Sequence, residues 1–152
     1  MQAAMPRRSY SHAYGTHPEQ IADLHLPSSD RGLTPSLTRG LGEGSDPVPH
    51  SGEGSDPVPH SDPVPHSAVV LIHGGFWRAR YAKDLMTPLA EDLAGRGIAA
   101  WNVEYRRLDK DGGWPATAED VAASIDYLRD ELGHEPMAAV GHSAGGHLAL
   151  LM

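Results

Sequence analysis

Residues 137–152 read Met137-Ala138-Ala139-Val140-Gly141-His142-Ser143-Ala144-Gly145-Gly146-His147-Leu148-Ala149-Leu150-Leu151-Met152. An apolar run breaks at a short glycine-flanked turn and then resumes. The pattern predicts a buried strand, a sharp turn with Ser143 at its apex, and a helix. A turn this tight strains its central residue, and the positions two before and two after it must lack a Cβ so that strand and helix can approach. Gly141 and Gly145 meet that demand. The strain lifts the Ser143 hydroxyl above the sheet edge, beside a helix N-terminus whose partial positive charge favours an oxyanion. Ser143 is the candidate nucleophile.

Upstream, Val69-Val70-Leu71-Ile72 runs into His73-Gly74-Gly75-Phe76-Trp77, a second apolar strand ending in a glycine turn. Acyl transfer needs N–H donors aimed at the developing oxyanion, and glycines present backbone N–H groups without side-chain obstruction. The two motifs together resemble the α/β-hydrolase superfamily, in its esterase, lipase and arylformamidase (kynurenine formamidase)-like branch. The resemblance covers 68–152 well and 14–26 weakly. It implies a three-layer α/β fold with a mostly parallel sheet and a serine acyl-enzyme mechanism on carboxylic esters or aryl formamides. It also maps the oxyanion donors onto Gly75, Phe76 and Ala144, with His73, Gly74, Gly141 and Gly145 completing the motifs. In that family the general base and its orienting acid follow later strands. The chain therefore reads as the N-terminal portion of a hydrolase, cut after the nucleophile turn and inactive as this fragment. A partner-binding remnant and a peptidase on the same scaffold are the alternatives.

The formal net charge of −8 lacks the basic excess a nucleic-acid partner requires. With no cysteines there is neither a disulfide nor a thiolate metal site. No run approaches a membrane span, and the start has no apolar segment of a secretory signal. The expectation is a cytoplasmic protein acting on a small-molecule ester or amide, with no cofactor, no metal, no nucleic acid and no membrane.

Residues 1–19 are polar and expected to be disordered. Residues 20–27 alternate as a half-buried strand, with Ala22, Leu24 and Leu26 on one face and Ile21, Asp23 and His25 on the other. Asp23 and His25 precede the serine, so they are not expected to be its acid and base. From 28 to 67 the composition shifts to Pro, Gly, Ser and Asp. The unit Gly-Glu-Gly-Ser-Asp-Pro-Val-Pro-His-Ser spans 42–51, recurs at 52–61, and a shortened copy ends at Ser67. Units this short and polar bury no face, so the segment reads as a linker-like insert. Its His50, His60 and His66 lack a rigid frame that would gather them around a metal.

The remaining 68–152 is the hydrolase core. Asp84 to Gly97 is predicted helical, with Leu85, Leu89 and Leu93 as its stripe. Ile98 to Val103 is a strand, and Glu104-Tyr105-Arg106-Arg107 leads into a loop. A second helix carries Val121, Ile125, Leu128 and Leu132, with Thr117 and Asp120 as a capping pair and Gly133 as its stop. Strand–helix alternation of this length implies parallel crossovers. Trp77, Trp114 and Tyr105 either line a substrate pocket or pack beneath the loops. His142 and His147 flank Ser143 but are expected to point away from its hydroxyl, and His73 to brace the glycine turn. The strand at Met137–Val140 is expected to pair with Val69–Ile72 on one side only, leaving an apolar edge open to self-association.

Overall fold

Val69 to Ile72 form the buried spine of the molecule, because a run apolar on both faces is stable only when both faces are covered. The computed structural model describes residues 8–27 and 67–152. Among these, five strands form one sheet in the order β1-β2-β4-β3-β5: β1 (Arg8–Ala13), β2 (Ile21–Leu26), β3 (Ser67–Ile72), β4 (Ala99–Val103) and β5 (Glu135–Gly141). The helices are α1 (Thr87–Gly95), entered through a 3₁₀ turn at Lys83–Met86, α2 (Ala116–Asp130) and α3 (Ala144–Ala149). β3 pairs in parallel with β4 and β5, whereas β1, β2 and β4 pair antiparallel, so the described sheet is mixed.

Alternate residues of β3 point to opposite layers. Ala68, Val70 and Ile72 join Trp101, Val103, Val121, Leu128 and Leu148 beneath α2 and α3, while Val69 and Leu71 join Met86, Ala90 and Ala100 beneath α1. Trp101 is fully buried and donates its indole N–H to Ser124 Oγ at 2.8 Å, which removes the cost of burying that dipole.

Four expectations need correction. Residues 8–13, expected to be disordered, form β1, because Ser11 Oγ bonds Asp23 at 2.6 Å and the whole strand has a backbone partner in β2. The predicted Leu85/Leu89 stripe is exposed, and Met86 and Ala90 are buried instead. The 3₁₀ entry ahead of α1 rotates the helix so that its buried face falls one residue later. Thr117 does not cap α2: Pro115 holds that position, and Thr117 Oγ1 donates to the Arg106 carbonyl at 2.6 Å. Asp120, 1% exposed, instead accepts a forked pair of bonds from Arg106 and one from Gln20. Finally, β5 begins at Glu135 and carries Pro136 with a register irregularity opposite Ala68 and Val69. The edge therefore has at one end the protections that were not expected, a proline and a bulge.

Two buried groups set an acid limit on stability. Burial pushes Asp120 up, but the Arg106 and Gln20 hydrogen bonds outweigh it and hold the carboxyl below its ordinary value. Its contribution is present above about pH 3.9 and is lost as pH falls through the lower folded value. Burial holds His25 below its ordinary value, only partly offset by Asp23 and Glu91. The unfolded chain takes up this proton near pH 6.5 while the folded chain refuses it, so stability falls as pH drops below about 6.5, by at most ~1.4 kcal/mol per pH unit. Urea midpoints measured from pH 7.5 to 5 are expected to decline, and His25→Gln to flatten that decline. Superimposable profiles would refute the assignment to His25.

Candidate active site

The β5–α3 turn places Ser143 at φ 52° and ψ −116°, a conformation that L-residues adopt only when the surroundings impose it. The imposing contacts are backbone to backbone. A methyl group on Gly145 would meet the His73 carbonyl at 2.5 Å and the Ile72 carbonyl closer still, and one on Gly141 would run into the Gly145 carbonyl. His142 N–H donates to the Ile72 carbonyl at 3.0 Å, locking the turn onto the end of β3. Ser143 makes no side-chain cap bond to α3, so its hydroxyl is not spent on the helix.

The glycine turn after β3 packs directly on this elbow. A methyl group on Gly74 would lie 2.5 Å from the His142 carbonyl and 3.0 Å from Ser143 Cβ. Gly75, Phe76 and Trp77 follow with φ of 113°, 56° and 57°. Three successive left-handed residues, two of them bearing side chains, turn the chain sharply. Phe76 is left 73% exposed. Phe76, Trp77, Ser143, Ala144 and His147 line one open cleft of about 310 Å³. The elements thus bring together Ser143, Ala144 and Phe76, with Gly74 and Gly75 forming the turn behind them.

His147 was expected to face away from Ser143, but it lines the same cleft, with its ring 6.3 Å from that of Trp77. The three aromatic residues divide. Trp77 and Trp114 border a second, apolar cavity of about 250 Å³ with Leu108 and Leu148, adjoining the serine cleft through Trp77. Tyr105 is fully buried, stacked on His73 at 4.3 Å, and donates its hydroxyl to the His73 carbonyl at 2.8 Å, so it is packing. Burial raises its phenol above the ordinary range. Asp23 is engaged by Lys83 and Ser11.

His73 braces the turn as expected, with Nδ1 2.8 Å from the Gly74 carbonyl and Nε2 2.7 Å from Glu104 Oε1. Glu104 itself escaped the sequence reading, although a lone acid at the exit of an apolar strand was its signal. Its neighbour Arg107 is also buried, and burial lowers its guanidinium from its ordinary value. Among the described residues no three His, Asp or Glu side chains gather as a metal site, and no helix is long and apolar enough to cross a membrane. His50, His60, His66 and nearly all of the repeat insert lie outside the described residues.

Residues 57–152 match the family model described as BD-FAE. The kynurenine formamidase of Meyerozyma guilliermondii is 35% identical over 88 residues, covering 56% of this chain and 32% of that protein. Among solved structures, esterase B from Lactobacillus rhamnosis superposes with a TM-score of 0.64 at 21% identity, over 97% of this chain and 39% of that one. A thermophilic esterase from Thermogutta terrifontis gives 0.60 at 23% identity, over 93% and 42%. These structural neighbours are α/β-hydrolases, and this chain has their fold. It spans about a third to two-fifths of the length of these relatives.

Proposed function

The chain belongs to the BD-FAE family, and from that premise we propose that it carries the nucleophile and oxyanion turn of a serine hydrolase acting on carboxylic esters or aryl formamides. The observation that carries this reading is Ser143, held at φ 52° in an open cleft with the Gly74–Gly75 turn against its Cβ. In the proposed reaction, Ser143 Oγ attacks the acyl carbon as its proton passes to a general base. The carbonyl oxygen becomes an oxyanion that accepts hydrogen bonds from the backbone N–H groups of Gly75, Phe76 and Ala144. Collapse expels the alcohol or amine with that proton and leaves an acyl-serine, which water then hydrolyses.

None of the described residues is assigned as the base, and the chain spans only about a third to two-fifths of its relatives' length, so residues 1–152 alone are expected to turn over p-nitrophenyl acetate barely faster than buffer. The test is the full protein treated with a p-nitrophenyl phosphonate. Release of one equivalent of nitrophenol and a matching mass increase on the Ser143 peptide support the reading, and labelling elsewhere rejects it. Strong, Ser143-dependent turnover by residues 1–152 would place the base within the chain, with His147, already in the cleft, as the residue to replace.

A binding role for the sheet edge is a second proposal, favoured by one specific observation. β5 pairs with β3 alone among the described residues, Met137 and Val140 are 60% and 41% exposed, and Leu85, Leu89 and Val140 border an apolar groove of about 540 Å³. Unpaired edge groups beside apolar side chains template association with a second copy. Light scattering over a concentration series is expected to register a mass increase that Val140→Lys suppresses. A monomer at every concentration would refute it.

A further inference from the structure

We propose that Glu104 is a positioning residue for acyl transfer, its buried carboxylate fastening both ends of the segment that carries the oxyanion turn. The inference rests on the proposed role of Ser143 and of the Gly74–Phe76 turn.

The chain between His73 and Lys83 contains Gly75, Phe76 and Trp77 at positive φ. Conformations of that kind relax unless neighbouring structure over-determines them. The side chain of Glu104 is 5% exposed and sits just past the end of β4. Its Oε1 accepts from His73 Nε2 at 2.7 Å, where the segment begins. Its Oε2 accepts the backbone N–H of Lys83 at 3.0 Å, where the segment ends. One carboxylate therefore spans the loop from entry to exit.

The surrounding contacts hold that carboxylate still. The Tyr105 N–H donates to Oε1 at 3.1 Å, Arg107 Nη1 lies 3.5 Å from the same oxygen, and Tyr14 donates to the Glu104 carbonyl at 2.6 Å. Arg107 also donates to the Tyr81 carbonyl, and the Tyr81 ring fills the space where Gly75 would carry a Cβ. From Glu104 the restraint passes through His73 to the Gly74 carbonyl, and Gly74 packs on Ser143 Cβ. Glu104 touches neither substrate nor nucleophile. Its effect is to fix where the Gly75 and Phe76 N–H groups stand relative to Ser143.

Glutamine keeps the shape of Glu104 but has one acceptor oxygen and no charge, so in Glu104→Gln the side chain can no longer accept from both His73 Nε2 and the Lys83 N–H, which weakens the two-ended fastening. Displaced oxyanion donors act on the transition state and leave ground-state binding nearly untouched. In the full protein, kcat per phosphonate-titrated serine is expected to fall about 30-fold in Glu104→Gln with KM within about twofold. His73→Phe, which keeps the stacking on Tyr105, is expected to do the same. The double variant is expected to lose far less than the product of the two, since both act through one linkage. On residues 1–152, which need not turn over, the NMR amide signals of Gly74, Gly75 and Phe76 are expected to move in Glu104→Gln while those of Val121–Leu128 stay in place. An unchanged kcat per titrated serine, fully multiplicative losses, or unmoved turn amides would overturn the proposal. Retained hydrolysis in Ser143→Ala would instead overturn the reading on which it rests, and the amide shifts would still report whether the linkage exists.

Discussion

Ser143→Ala is expected to lower ester turnover by the full protein roughly 10⁵-fold, with substrate binding little changed. The alanine removes the atom proposed to form the acyl-enzyme and leaves the pocket walls in place. A 10⁵-fold loss corresponds to about 7 kcal/mol of transition-state stabilisation. The residual rate would come from oxyanion donors acting on a water molecule, and it should be independent of phosphonate treatment. The fold should tolerate the change, because the Ser143 side chain makes no cap bond. At φ 52° alanine is no less strained than serine, so the melting temperature should move by a few degrees at most. Steady-state kinetics on p-nitrophenyl acetate measure this directly. A variant within tenfold of the native rate would remove Ser143 from the mechanism.

Gly145→Ala is expected to produce a large loss of stability, because the added methyl group would meet backbone rather than movable side chains. The new Cβ would press on the carbonyl oxygens of Ile72 and His73, both at the end of the central strand β3, and backbone in a paired strand cannot step aside. Overpacking costs about 1–3 kcal/mol where side chains can adjust, so this site should reach about 3 kcal/mol or more. For a domain of this size that is a fall in melting temperature of roughly 10 °C or more. Gly95→Ala is the matched control, since a methyl group there meets nothing within 4 Å and lies at the end of α1. It should be neutral or stabilising by about 0.5 kcal/mol. Equal effects at the two positions would show that close approach is not what demands glycine at 145.

The fold and the strained turn at Ser143 were legible in the sequence because both depend on local rules. Apolar runs at 69–72 and 98–103 can be stable only as covered strands. A serine set between glycines two residues away on either side, with a strand before and a helix after, has few conformations open to it. The stripe of α2 and the stop at Gly133, which adopts φ 68°, were readable for the same reason.

Only the tertiary structure decided which partners polar and partly apolar residues would find. Residues 8–13 have no strand signal of their own, and they are ordered by pairing with β2. Thr117 and Asp120 had the spacing of a cap, but the folded-back 104–115 loop offered Arg106 as a stronger partner for the buried carboxylate. His147 faces the serine cleft because a six-residue helix leaving a strained turn carries its first exposed side chain back over that turn. Glu104 is the clearest case. Periodicity marks it as an acid ending a strand, whereas its function as a two-ended fastening exists only once His73 and Lys83, separated along the chain from it and from each other, are brought to its two oxygens. Sequence determines which surfaces must be buried, because burial of apolar area is non-directional and additive along the chain. Hydrogen bonds between distant polar groups are directional, and their pairing is settled by the positions that packing imposes.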